Sequence, residues 1–141
     1  MIYIDKPYLI THCFERFIDE SSQDDPEIIG NTIAAKIALI KTLLSTRYNV
    51  DLIFDETDPV ENEVLKEILA KLVIESLVRR NAARKVPTDY KDNYKWAMET
   101  LEKLSTGKII LGDLPTPVDE NGNPSPSNSI WGNSKNQNNY I

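Results

Sequence analysis

The chain has 141 residues, with 40% hydrophobic and 27% charged residues and a net charge of −6. Length and composition give one domain with an ordinary core. The acidic balance argues against a free-standing nucleic-acid binder, which would normally be basic. One cysteine, Cys13, and one histidine, His12, exclude an intrachain disulfide framework and any multi-cysteine or multi-histidine metal site. No apolar run reaches the roughly 20 residues of a membrane helix. The opening Met1–Pro7 lacks the pattern of a signal peptide, which sets the cytoplasm of the producing cell as the expected compartment.

Four helices are predicted in chain order. The first spans about Pro7–Ile18, with Asp5 as N-cap and Ile10, Phe14, Phe17 and Ile18 as its apolar stripe. The second spans about Pro26–Arg47. Asp25 caps it, Pro26 takes the first-turn position, and Ile29, Ile33, Ile37, Ile40 and Leu44 form its stripe. The third spans about Glu61–Asn81. Its apolar residues Leu65, Ile68, Leu69, Leu72, Val73, Ile74, Leu77 and Val78 wrap most of the circumference, the mark of a central helix. The fourth spans about Thr88–Ser105, with Tyr94, Ala97, Met98, Leu101 and Leu104 as its stripe and Gly107 as its stop. The Lys108–Gly112 stretch that follows fits either a strand or an extended segment packed on the bundle. The fold class expected is all-α: a small four-helix bundle over residues 1–112, a short extended segment, and a long C-terminal arm.

Composition changes near Gly112. Residues 113–141 hold four of the eight prolines (Pro115, Pro117, Pro124, Pro126) and an Asn-rich end. Such a segment cannot bury enough apolar surface to fold alone. Its large apolar residues, Val118, Ile130, Trp131, Tyr140 and Ile141, stand isolated in a polar background, as anchors do in a docking segment. The arm is therefore expected to be extended and held by a partner.

Candidate chemistry is sparse. His12 and Cys13 are neighbours on a helix, about 100° apart, so they cannot readily form a nucleophile–base pair. Cys13 is expected in the core and His12 at the surface or the core boundary. One acidic cluster gathers Glu15, Asp19, Glu20, Asp24, Asp25 and Glu27. A second gathers Asp51, Asp55, Glu56, Asp58, Glu61 and Glu63. Neither has the alternating oxygen ligands and turn glycine of a hard-cation loop. Both precede a helix N-terminus, where carboxylates are favourable anyway. No phosphate loop, nucleophile elbow or His-Glu-x-x-His is present. The expectation is therefore no enzyme, no cofactor and no metal. Arg79, Arg80, Arg84 and Lys85 form the one basic cluster. It serves either the dipole of the third helix or contact with phosphates or an acidic partner surface.

The order of these features resembles the Mu-type head-completion or head-to-tail connector proteins of tailed bacteriophages. The resemblance covers about residues 1–112. It rests on Met1-Ile-Tyr-Ile-Asp before the first helix and on an acidic loop into a long Ile/Ala-rich helix. That helix ends in Leu43–Val50, similar to the family's Arg-Tyr-x-Val segment. It rests further on the third helix closing in Leu77-Val-Arg-Arg-Asn81, on Tyr94, Trp96 and Leu101 in the fourth, and on Gly107-Lys108 after it. The resemblance implies a structural virion protein at the head–tail interface, present in the host cytoplasm during assembly. It would form a ring, usually of twelve copies, bound below the portal protein and followed by tail or stopper proteins, and Arg79, Arg80, Arg84 and Lys85 would then contact the portal or a neighbouring subunit. DNA would pass through the channel without sequence-specific binding, and no membrane is involved. The sequence differs in its long arm, whose partner stays open, and in lacking a glycine-rich acidic loop before the second helix, which removes an argument for bound calcium. The alternative reading is a small helical nucleic-acid-binding or regulatory protein that uses the Arg79–Lys85 cluster.

Overall fold

A computed structural model describes residues 3–13, 15–81 and 85–117. The described residues contain six helices and no strand: α1 (Lys6–Ile10), α2 (Glu15–Ser22), α3 (Pro26–Leu44), α4 (Val50–Ile53), α5 (Glu63–Arg79) and α6 (Thr88–Thr106). Four of them, α2, α3, α5 and α6, build the bundle. The single-turn α1 and α4 sit at its margins. The fold is all-α, as the apolar periodicity requires.

The caps follow the sequence closely. Asp5 accepts from the Tyr8 N–H, and Asp25 accepts from the Glu27 N–H, with proline in the first turn of both helices. Gly107 ends α6 in the left-handed conformation at φ +83°. Asn62 caps α5 by accepting from the Leu65 N–H at 3.0 Å.

α5 is the central helix. Leu65, Ile68, Leu69, Leu72, Val73, Ile74, Leu77 and Val78 are all buried, because α5 packs against α6, α3 and α2 at once. Ile18, Ile40, Leu44, Ala97, Leu101 and Leu104 close on it from the surrounding helices.

Three expectations need correction. The first predicted helix is two helices. Thr11 stops α1, its hydroxyl donating to the Tyr8 carbonyl at 2.6 Å, a local bond that competes with helix continuation. Of that stripe, Ile18 is buried and Phe17 half-buried, while Ile10 is exposed; Phe14 lies outside the described residues. The second predicted helix ends at Leu44, and a turn through Tyr48–Asn49 starts the short α4, capped by the Asn49 side chain at 3.3 Å from the Leu52 N–H. The stripe on α3 is also only partly core: Ile29, Ile40 and Leu44 are buried, but Ile33 and Ile37 are half-buried.

The stretch after α6 is neither a strand nor regularly extended: it runs through bends and a turn at Gly112–Asp113. It stays on the body through Pro115. Leu114 is buried, and both carboxylate oxygens of Asp113 accept from Asn62 Nδ2 at 3.0–3.1 Å. The Pro115 carbonyl accepts from the Asn49 N–H at 2.8 Å.

Candidate interaction surfaces

The basic cluster divides on inspection. Arg79 Nε lies 3.3 Å from Glu75 Oε2, one turn back on α5. Glu75 is buried, so this pairing offsets the cost of holding its carboxylate away from water. Arg80 donates through Nη1 to the Ser21 carbonyl near the end of α2, where a cation also meets the negative end of the helix dipole. Both arginines therefore have partners within the chain. Lys85 is exposed, and Arg84 lies outside the described residues. The arm anchors Val118, Ile130, Trp131, Tyr140 and Ile141 lie outside them too.

Sequence reasoning missed a groove beside α3. It has a volume of about 310 Å³ and runs between residues 3–6 and the outer face of α3 from Pro26 to Ile37. Tyr3, Ile4, Ile29, Ile33 and Ile37 supply most of its apolar lining, and Gly30 and Ala34 leave it open. Its polar edge is Asp5, which caps α1, and Lys6, which is 2.6 Å from Asp19 and 3.7 Å from Glu15. The signal was present in the sequence: Gly30 and Ala34 share a face with the isoleucines, and small residues there leave a hollow.

A second set of contacts fixes the end opposite the start of α3. Arg47 donates to the Ser105 and Thr106 carbonyls at 2.9 and 3.1 Å, capping the last turn of α6. The Tyr48 hydroxyl accepts from the Leu111 N–H at 3.0 Å. The Arg47-Tyr48-Asn49 segment thus latches α6 and the stretch after it to the end of α3. Beside this latch, Ile109 and Ile110 remain exposed, Ile110 by 73%. On α6, Trp96 is exposed and lies under the Lys71 ammonium at 4.1 Å.

Cys13 is buried, and burial pushes its thiol pKa up, while the Tyr90 hydroxyl, its hydrogen-bond partner, lies at about 12. His12 is half-buried and its Nδ1 is 2.8 Å from the Thr11 hydroxyl. The two side chains turn to different partners, although they lie in the turn between α1 and α2 and not on a helix as expected. Several carboxylates of the acidic clusters serve local ends. Asp55 accepts from the Thr57 and Asp58 N–H groups and the Thr57 hydroxyl, which holds its carboxyl below the usual range. Asp51 lies 3.3 Å from Lys41, and Glu61 and Glu63 flank Lys66. Among the described residues no three His, Cys, Asp or Glu side chains converge as a metal site would need. None of the described helices is long and apolar enough to cross a membrane.

The surfaces so built are an apolar groove beside α3 and exposed apolar residues after α6, on a helical body tied together by long-range hydrogen bonds. No curated protein and no solved structure matches the chain. A family model, described as Bacteriophage Mu, Gp36, matches residues 6–128. This spans all six helices, and the chain therefore belongs to the bacteriophage Mu Gp36 family.

Proposed function

We propose that the protein is a structural adaptor of the virion head–tail junction, a ring that joins the portal to tail components and surrounds the DNA channel. The observation that carries this reading is the family match over residues 6–128. The build of the molecule supports it. The body is rigidified by side-chain latches distant in sequence, Arg47 to α6 and Asn62 to Asp113, while apolar residues stay on the outside at the α3 groove and at Ile109–Ile110. Such faces suit contacts between copies and with partner proteins. The net charge of −6 suits a channel through which DNA slides, because a basic lining would hold phosphates and release counterions. In this reading the protein is no enzyme and uses no cofactor or metal.

The test is the mass of the purified protein alone and mixed with its portal protein. The expected result is a closed ring on the portal with a fixed ratio of subunits. A protein that stays monomeric and does not associate with portal at any ratio would refute the adaptor reading.

A further inference from the structure

We propose that a second copy of this chain seats its Ile109 and Ile110 in the α3 groove, so that copies associate head to tail through two different faces. The inference names the contact between copies of the proposed ring and in that respect rests on the adaptor reading. The groove supplies one half. Tyr3, Ile4, Ile29, Ile33 and Ile37 give the apolar lining of a hollow of about 310 Å³ between residues 3–6 and α3, and covering such surface is favourable.

The other half is Lys108-Ile109-Ile110. Ile109 is 39% exposed and Ile110 73%, and of the exposed large apolar residues described these two alone are chain neighbours. The stretch is pinned on both sides. The Ile109 N–H donates to the Lys103 carbonyl at 3.2 Å, and the Leu111 N–H donates to the Tyr48 hydroxyl at 3.0 Å. A protrusion already held in place loses little conformational freedom on docking. Charge complements the apolar match. Asp5 lies on the rim of the groove, and Asp24, Asp25 and Glu27 stand exposed around its Pro26 end. Lys6, also on the rim, is already 2.6 Å from Asp19. Lys108 and Lys103, both exposed beside the isoleucines, carry the opposite charge to this acidic end.

A chain cannot seat its own pair. The backbone next to Ile110 is anchored on Tyr48, past the C-terminal end of α3, while the groove runs no further than Ile37. The helix from Ile37 to Leu44, about 10 Å long, lies between, and reaching back along it would break the Lys103 and Tyr48 bonds. Two complementary patches at different places on one body make a heterologous contact. Each added copy leaves one groove and one isoleucine pair open, and the series closes into a ring when the rotation fits.

Sedimentation of the full chain over a rising concentration series is the test. The parent should grow past two copies. Ile110→Asp and Gly30→Lys should each weaken association by about tenfold or more. Ile110 is on the outside, a Cβ at Gly30 meets nothing within 4 Å, and replacing a helical glycine raises helix propensity, so helical circular dichroism should stay unchanged in both. Lys108→Glu should weaken association several-fold, and added salt should weaken that of the parent. Mixing the two disabled variants separates head-to-tail contact from the alternatives. The Ile110→Asp copy keeps its groove and the Gly30→Lys copy keeps its isoleucines, so the mixture should form one-to-one pairs and nothing larger. A parent that stays a single copy or stops at two, or a mixture that stays unpaired, overturns the proposal. Portal binding is read separately. Rings on portal that survive both variants overturn this contact and leave the adaptor reading standing. Self-association lost in both variants, with no portal binding by the parent, keeps the contact and removes the adaptor reading.

Discussion

The guanidinium of Arg47 occupies the space that a Cβ at residue 107 would need. A Cβ built on Gly107 would lie 2.8 Å from Arg47 Cζ and Nη1, and the residue's φ is +83°. Two demands therefore select glycine here, the left-handed backbone and the arginine that caps α6. Gly107→Ala should cost about 1–2 kcal/mol for the backbone alone, and more where Arg47 is displaced. Arg47→Ala should cost about 1–2 kcal/mol, since it removes donors to two carbonyls at a partly exposed site. Denaturant unfolding of the single and double variants checks the coupling. The double variant should lose less than the sum, because the steric part of the alanine penalty vanishes once Arg47 is gone.

Leu72 lies at the centre of α5 and is fully buried. Leu72→Ala should destabilise by about 2–5 kcal/mol through lost burial and a residual cavity. The half-buried Ile37 on the groove wall is the control, and its change to Ala should cost clearly less. Equal losses at the two sites in denaturant melts would mean that the groove wall is core.

Much of this was legible in the sequence where one physical signal dominated. A helix apolar nearly all round has to be central, and α5 is. Asp5, Asp25, Pro26 and Gly107 carry local chemistry that marks helix ends, and each stands at an end. The sequence failed where tertiary contacts decide. Nothing local distinguishes Ile33 from Ile40 on the stripe of α3, yet Ile40 meets the core and Ile33 lines a groove. The break at Thr11 turns on a hydroxyl bond to the Tyr8 carbonyl that a periodic stripe does not reveal. Arg79 and Arg80 read as one cationic patch with Arg84 and Lys85, but Glu75 and the Ser21 carbonyl, 59 residues away from Arg80 in sequence, engage them.

Tyr3 links the start of the chain to α5. Its hydroxyl donates to the Val60 carbonyl and accepts from the Asn62 N–H, both at 3.1 Å, and burial raises its pKa to about 12. Its value in the unfolded chain is about 10. A folded pKa above the unfolded one means that the contribution is complete below about pH 10 and is lost as pH rises towards 12. Tyr90, also raised to about 12, and Lys6 and Lys66, raised by their carboxylate partners, act in the same direction. Stability should therefore fall over this alkaline range. Tyr3→Phe should cost about 1–3 kcal/mol at neutral pH by leaving two backbone groups without their partner, and should make the alkaline fall shallower. Unfolding free energies measured from pH 8 to 12 check both; an unchanged slope in the phenylalanine variant would remove Tyr3 from the account.

The basic cluster gives a prediction that separates folding from assembly. Arg80 holds the Ser21 carbonyl, so Arg80→Ala should lower stability by about 1 kcal/mol, a modest value because the side chain is largely exposed. Arg79→Ala should also destabilise, since it strips the cation from the buried Glu75 carboxylate. Neither variant cleanly tests partner binding. Arg84→Glu with Lys85→Glu does, because Lys85 is exposed and surface changes away from such contacts usually stay within about 0.5 kcal/mol. If the adaptor reading holds, this double reversal should leave the melting temperature nearly unchanged and abolish association with portal, with the parent's binding weakening as salt is raised. The two measurements are independent. An unchanged melting temperature with full portal binding would confine the cluster to its work at the end of α5. A loss of binding that tracks a loss of stability would mean that the variant reports on the fold and not on the contact.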